Sequence, residues 1–151
     1  MPLGLTDKQI AAIDAVVDIA LHGCGGPVQS SEITTRQGIP RRYLEPVLQR
    51  LSRGGILVGI RGPAGGYRLA RERRRITLGD LLRAMDGDGT GNAGRAASRN
   101  SAVQSIVGEA LDGVEVEFLA KLDAVTVEVL CWRAQGGERP KAPPATMDFS
   151  I

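Results

Sequence analysis

The chain has 151 residues and a mass of 16.0 kDa, enough for one compact domain or for a small domain with an additional arm. Its 42% hydrophobic content supports a core without disulfide staples, and its 3% aromatic content argues against the stacked-base surface of single-strand binders. No apolar run is long enough to span a membrane, and the first residues lack the pattern of an export signal. We therefore expect a cytoplasmic protein with no membrane partner.

The positive charge is concentrated in one third of the chain. Residues 31–75 contain eleven arginines, three glutamates and no lysine, a net charge of +8, whereas the whole chain carries +2. Guanidinium groups pair bidentately with phosphate oxygens and with guanine edges. Double-stranded DNA is therefore the first partner that this segment indicates, and a solvated basic face is the alternative.

Local signals predict a first helix near the start of the chain. Thr6 and Gln9 form a capping box at its beginning. Its apolar residues fall on one helical face: Ile10, Ile13, Val17 and Leu21. Three glycines and a proline within residues 22–27 end the helix.

Two further helices are predicted around a short glycine turn. Ser30 or Ser31 caps the first of them, which covers residues 32–36 and ends at Gly38. Pro40 opens the second, where a missing N–H is tolerated. The apolar face of this helix consists of residues at i, i+3, i+4 and i+7: Leu44, Val47, Leu48 and Leu51. The pair is typical of a helix-turn-helix.

The pattern then changes from helix to strand. Residues 56–60 are mainly apolar and β-branched, residues 62–66 form a glycine-rich turn, and residues 67–70 return as a second strand. Thr77 with Asp80 makes a second capping box, which predicts a fourth helix. We therefore predict a mainly α fold with a small β-hairpin wing, a winged helix-turn-helix domain over residues 1–87.

The remaining residues predict a helical segment that contacts a second copy of the chain. Residues 88–99 are glycine-rich and are predicted to form a flexible loop, and residues 136–151 a disordered tail. Residues 100–135 predict a long helix and a short closing helix, which Asp123 or Thr126 caps. The apolar side chains of the long helix are spaced by threes and fours: Val103, Val107, Ala110, Val114 and Phe118. This face is larger than one small domain needs, so we expect a homodimer.

The polar face of the third helix carries residue types that read base edges. They are Arg41, Arg42, Glu45 and Gln49. The competing interpretation is a surface ion pair between Arg42 and Glu45. Pro46 lies deep for a helix that begins at Arg41, so we expect the helix either to begin near residue 42 or 43 or to bend.

The hairpin offers a second DNA contact. Arg61 precedes Gly62 at the turn, where the backbone can approach a narrow groove closely, and Arg68 lies on the returning strand. A phosphate-cradling loop would open a helix, whereas this turn leads into a strand. One histidine and no supported acid and base pair predict that the protein is not an enzyme. An enzyme that binds a phosphorylated metabolite in the basic groove is the remaining rival of that class.

Three motifs together resemble the Rrf-two family of bacterial regulators. They are YLE at 43–45, RGPAGGYRLA at 61–70 and ITLGD at 76–80. The resemblance implies a homodimeric winged helix that binds a near-palindromic operator, with Tyr43 and Gly66 in structural positions. We expect the protein to be a transcriptional regulator that acts as a repressor. Lys8 is left as the phosphate contact of the first helix, where the family has further basic and aromatic residues. The full set of candidate DNA-binding residues is Lys8, Pro40, Arg41, Arg42, Tyr43, Glu45, Gln49, Arg61, Gly62 and Arg68.

The sequence departs from this family in its cysteines. Cluster-binding relatives place three cysteines before the dimerisation helix, whereas residues 86–99 contain none, so we expect no iron–sulfur cluster, no other cofactor and no metal site. Cys24 lies between glycines and is a possible redox thiol or an unreactive surface cysteine. Cys131 is predicted to be a buried small hydrophobe. The effector, a small molecule or a protein, is unknown, and the alternative function is a winged-helix module that binds protein or RNA without operator specificity.

Overall fold

The computed structural model describes residues 4–86 and 102–137. Within these two ranges the helices are α1 (Asp7–His22), α2 (Ser30–Gln37), α3 (Arg41–Arg53), α4 (Leu78–Met85), α5 (Ala102–Asp123) and α6 (Val127–Ala134). Strands β1 (Leu57–Ile60) and β2 (Gly66–Leu69) pair antiparallel. This arrangement confirms the predicted fold class, mainly α with a hairpin wing. The predicted loop at 88–99 and the tail beyond residue 137 lie outside the described residues.

Helix α1 begins at the predicted capping box but buries a different face from the one predicted. The Gln9 backbone N–H donates to Thr6 Oγ1 at 3.2 Å. The fully buried residues are mostly small: Ala12, Ala15, Val16 and Ile19. The predicted stripe of Ile10, Ile13, Val17 and Leu21 is only partly buried. Alanines let α3 and α4 approach α1 closely, so the larger side chains on its other side are left at the margin of the core.

The helix-turn-helix forms as predicted, with one difference at its start. Helix α2 begins at Ser30, and the residue before it, Gln29, takes the capping position in place of a serine, because its backbone N–H donates to Glu32 Oε2 at 2.8 Å. Gly38 ends α2 in a left-handed conformation. The four apolar residues predicted for α3 are all buried: Leu44, Val47, Leu48 and Leu51.

The hairpin is attached to the chain segment that precedes α2. Val28 and Tyr67 exchange two backbone hydrogen bonds, at 2.9 and 2.8 Å, and so extend the sheet by one isolated bridge. Gly66 lies beside this bridge with φ of 155°, and a Cβ there would be 2.5 Å from the Val28 carbonyl oxygen. Only glycine therefore permits β2 to approach so closely. The wing is held against the helix-turn-helix by backbone contacts.

Helix α4 is joined to the last two helices by hydrogen bonds on both sides of Thr77. The predicted capping box is present, since the Asp80 N–H donates to Thr77 Oγ1 at 3.1 Å. The Leu78 N–H donates to the Val125 carbonyl at 2.9 Å, and the Val127 N–H donates to the Ile76 carbonyl at 2.8 Å. Of the two caps proposed for α6, Thr126 is the one used, while Asp123 ends α5.

Helix α5 contrasts with the rest because none of its residues is buried. Six of its large apolar side chains are between 49% and 69% exposed, namely Val103, Ile106, Val107, Leu111, Val114 and Val116, while Phe118, Leu119 and Leu122 are partly buried. After α6, the Gly137 N–H donates to the Trp132 carbonyl at 2.8 Å, so the first residues assigned to a disordered tail still belong to the helix end. No helix among the residues that the structure describes is long and apolar enough to cross a membrane.

Candidate nucleic-acid interface

The exposed side of α3 forms the first part of the candidate interface, here called the recognition face and defined by Arg42, Gln49 and Arg53. These residues are seven and four positions apart, so they lie on one side of the helix, opposite the buried leucines. All three are exposed. The arrangement presents one amide and two guanidinium groups on the surface of the second helix of a helix-turn-helix, which is the element that enters the major groove in such proteins.

Glu45 is paired with a different arginine from the one expected. Arg41 Nε donates to Glu45 Oε1 at 2.7 Å, across one helical turn. The surface pair considered between Arg42 and Glu45 is therefore wrong, because the four-residue spacing brings the Arg41 fork to the carboxylate first. Arg42 has no ion-pair partner among the described residues. Its guanidinium is available to a ligand.

Pro46 lies inside α3, and the helix still begins at Arg41. Of the two alternatives for Pro46, a helix start at residue 42 or 43 is therefore wrong, and a bend of the helix stays a prediction. A proline at this position removes the hydrogen bond to the carbonyl of Arg42. Both residues are exposed, so water can take the place of the missing donor.

The tip and outer face of the hairpin form the second part. Arg61 and Gly62 are exposed at the turn, and Gly62 has φ of 106°, a conformation that glycine adopts without a steric penalty. On the outer face Arg68 lies opposite Val58 in the strand register, and both are exposed. The hairpin therefore extends two unshielded guanidinium groups from the same unit as the recognition face.

Ion pairing divides the arginines of the basic segment into two groups. Five have carboxylate partners, namely Arg36, Arg41, Arg71, Arg73 and Arg74. Five have none within residues 4–86 and 102–137, namely Arg42, Arg53, Arg61, Arg68 and Arg75. Arg50 donates to the Met85 carbonyl at 2.8 Å. The unpaired group therefore contains three of the four arginines predicted to contact DNA, and Arg41 is the exception.

Three further predicted residues lie at the junction of α1 and α3. Pro40 precedes α3 as its exposed cap residue, and Tyr43, in the first turn, is half-buried. Lys8 is exposed in the first turn of α1 and lines the same surface cavity as Tyr43. Tyr43 therefore joins the two helices, while Lys8 places an ammonium beside the start of α3. Arg53, expected near the end of the same polar face, lies on one side of α3 with Arg42 and Gln49 and is exposed.

Asp18 is the one buried charged residue among those described, and it fixes α2 against α1. Arg36 donates to both carboxylate oxygens of Asp18, with Nη2 to Oδ1 at 2.6 Å and Nε to Oδ2 at 3.0 Å. Gln37 Nε2 adds a hydrogen bond of 2.8 Å. Burial favours the neutral acid, but these hydrogen bonds outweigh it and hold the pKa of Asp18 below its ordinary value. The sequence analysis did not identify this residue.

The two cysteines have different surroundings. Cys24 is exposed in the turn after α1, and Cys131 is fully buried in α6. Burial raises the pKa of the Cys131 thiol, which makes it a poor thiolate. The prediction that Cys131 is a buried small hydrophobe is confirmed. Within the described parts of the chain, no group of three or more histidine, cysteine, aspartate or glutamate side chains could hold a metal ion.

Solved structures share this fold over most of the chain. An IscR structure from T. potens has a TM-score of 0.70 and 29% identity, and the match covers 91% of this chain and 93% of that one. CymR of B. subtilis, described as the global cysteine regulator, has a TM-score of 0.62 and 25% identity, covering 87% of this chain and 98% of that one.

Curated relatives match a shorter part of the chain at higher identity. The HTH-type transcriptional regulators IscR of Photobacterium profundum and of Xenorhabdus nematophila are each 43% identical over 82 residues, which are 54% of this chain. The match covers 48% and 50% of those proteins, so it spans about half the length of these relatives. The family model described as "Rrf2: Iron-dependent Transcriptional regulator" matches residues 5–133. The chain therefore belongs to the Rrf2 family of winged-helix transcriptional regulators, the family that its motifs resemble.

Proposed function

We propose that this protein is a sequence-specific DNA-binding repressor that occupies a near-palindromic operator as a homodimer. The observation that carries the proposal is the set of unpaired guanidinium groups on α3 and on the hairpin of one rigidly joined unit. In this proposal the protein acts by occupying a promoter, and repression is the simplest consequence of that occupancy. The protein then acts in the cytoplasm, where bacterial DNA lies.

In this proposal α3 enters the major groove and reads base edges. Arg42 donates two hydrogen bonds to guanine, and Gln49 pairs with adenine. Glu45 accepts from a cytosine amine, and its contact with Arg41 keeps the carboxylate at a defined place on the helix. Arg61 and the backbone at Gly62 approach the minor groove, where a narrow A·T tract attracts an arginine. Lys8 and Arg68 contact phosphates.

The homodimer rests on α5. A helix of 22 residues with no buried position leaves its apolar row without cover in a single copy. The row formed by Val103, Val107, Ala110 and Val114 has the spacing that packs helix against helix. Two copies joined through this row would present two α3 helices to half-sites about one turn of DNA, 34–36 Å, apart.

The family description names iron, and the residues of this chain do not fit a cluster of the family's kind. Thiolates hold iron–sulfur clusters, and the whole sequence contains two cysteines, of which one is fully buried with a raised pKa. No step of the proposed mechanism therefore passes through iron. The controlling signal in our proposal is a small molecule, a partner protein or oxidation of exposed Cys24.

Binding to a randomised pool of DNA duplexes tests the proposed function. The pool is selected against excess competitor DNA, and the affinity for the winning sequence is then measured as a function of salt. A specific regulator enriches a two-fold symmetric sequence and binds it at least about 10³-fold more tightly than random DNA. A module for protein or RNA enriches no sequence, which would overturn the proposal.

A further inference from the structure

A cleft lined by four arginines lies between the end of α3, the start of the hairpin and α4. It encloses about 330 Å³, and its charged lining consists of Arg50, Arg53, Arg71, Arg83 and one carboxylate, Asp80. Of these, only Arg53 belongs to the recognition face. The base-reading proposal leaves the cleft without a role.

The Asp80 carboxylate balances only part of the positive charge of this lining, because one carboxylate faces four arginines. Asp80 Oδ2 accepts from the Thr77 N–H at 3.1 Å, as the cap of α4. Its distances to Arg71 and Arg83 are 3.8 and 3.6 Å, longer than hydrogen bonds. Outside the cleft, Asp123 holds the Arg83 fork in two hydrogen bonds of 2.8 and 2.6 Å. Arg53 therefore has no carboxylate partner among the described residues, and Arg71 shares the Asp80 carboxylate with Arg83.

The remaining lining residues carry no polar side chain. It consists of Gly54, Ile56 and Ala84. The negative end of the α3 dipole points toward the cleft and offsets part of the positive charge. Arg53, which has no ion-pair partner among the described residues, and Arg71, whose ion pair with Asp80 is 3.8 Å long, present planar guanidinium groups that match the oxygens of a phosphoryl group.

We infer that this cleft binds a phosphoryl group. Two sources share that chemistry, a free phosphorylated small molecule and a phosphate of the DNA backbone beside α3. An occupant would contact the end of the recognition helix and the arginine that follows the hairpin. Through Arg83 it would also reach Asp123, the last residue of α5. A free ligand here would thus connect the DNA-reading helix with the helix proposed to join two copies.

Calorimetric titration with inorganic pyrophosphate tests the inference without DNA and therefore independently of the proposed function. At constant ionic strength we expect saturable binding that Arg53→Ala and Arg71→Ala each weaken about tenfold or more, the loss of one charge-assisted contact. Arg53→Lys, which keeps the charge without the fork, should recover part of the affinity. Arg74→Ala is the matched control, since Arg74 is paired with Glu72 and does not line the cleft. Circular dichroism confirms that each variant is folded.

A DNA arm separates the two sources. If the occupant is a backbone phosphate, pyrophosphate does not bind, and Arg53→Ala and Arg71→Ala each reduce the salt slope of DNA binding by about 0.9 while Arg74→Ala does not. Pyrophosphate binding that both cleft variants leave unchanged would contradict the inference. The absence of pyrophosphate binding together with an unchanged salt slope, or with no DNA binding, would overturn it.

Discussion

The helix-turn-helix with its wing and the long helix α5 differ in how far their side chains are buried. In the first region the apolar faces of α1, α3 and α4 meet in one core, and a buried carboxylate is matched by Arg36 and Gln37. In the second, 22 residues form a helix with no buried side chain. The core of the first region also takes in Val127 and Cys131 of α6, whereas the apolar row of α5 is uncovered in a single copy. In the proposed function, DNA reading and assembly would therefore lie on separate elements.

The largest expected effect on operator affinity comes from disrupting the apolar row of α5. Val107→Asp combined with Val114→Asp places two charges on the apolar row of α5. We expect a monomer and an operator affinity reduced about 10²- to 10⁴-fold, because two linked half-site contacts become one. Analytical ultracentrifugation measures the assembly and fluorescence anisotropy the affinity.

Val116→Asp is the matched control for this pair. Val116 is as exposed as the others but lies two residues beyond Val114, on another side of the helix. It should leave both the assembly state and the affinity unchanged. Equal behaviour of the control and the double variant would mean that the row is not the dimer contact.

The next largest effect is on stability and comes from removing the partner of the buried Asp18 carboxylate. Arg36→Ala leaves the Asp18 carboxylate buried with Gln37 as its remaining neutral donor. We expect a loss of about 3 kcal/mol in the free energy of unfolding, the low end for a broken buried pair because Arg36 is partly exposed. Urea denaturation followed by circular dichroism measures it. A loss below about 0.5 kcal/mol, the size typical of a surface pair, would contradict the role given to Asp18.

Acid should remove the stabilisation that the ionised Asp18 carboxylate provides to the folded protein. The pKa of Asp18 is lower in the folded protein than in the unfolded chain, so its stabilising effect is complete above the unfolded value of about 3.9. It is lost as the pH falls through the folded value. We therefore expect the stability difference between the native protein and Asp18→Asn to be constant near neutral pH and to shrink below about pH 4. If this stability difference stays constant until the protein unfolds in acid, the ionised Asp18 carboxylate does not stabilise the fold.

A smaller effect separates the two adjacent arginines at the start of α3. Arg42→Ala should cost about 1–3 kcal/mol of operator binding and relax the preference for one base. Arg41→Ala should cost less, because Arg41 is engaged with Glu45. Titration of the selected operator and of its single-base variants measures both. If Arg41→Ala costs more than Arg42→Ala, the sorting of arginines by their ion pairs does not predict DNA contact.

The smallest effect concerns phosphate contacts. Arg68→Ala should weaken all DNA sequences alike and reduce the salt slope by about 0.9, whereas Arg74→Ala, with its Glu72 partner, should leave the slope unchanged. Binding isotherms at several salt concentrations measure the slopes. Equal slopes for both variants and the native protein would exclude Arg68 from the contact surface.

The features that could be predicted from the sequence depend on residues that are close together in the chain. The capping boxes at Thr6 and Thr77 and the apolar face of α3 are set within one or two helical turns, so their residues suffice to predict them. The exposed arginines at 42, 61 and 68 follow from the same periodicity and from the turn between the strands.

Features that depend on packing between distant segments could not be predicted in this way. The buried face of α1 is rich in alanine where neighbouring helices come close, which no pattern within α1 indicates. Asp18 resembles a surface residue until α2 places Arg36 against it. The bridge between Val28 and Tyr67 joins residues 39 positions apart. The cleft at Asp80 likewise brings together α3, α4 and the residue after the hairpin.

Selection of operators by the native protein and by Arg42→Ala side by side tests most directly whether the unpaired face of α3 reads DNA. The account predicts a two-fold symmetric sequence for the native protein, with half-sites about one helical turn apart and a guanine in each that the variant no longer requires. The same sequence, enriched to the same degree by both proteins, would contradict it.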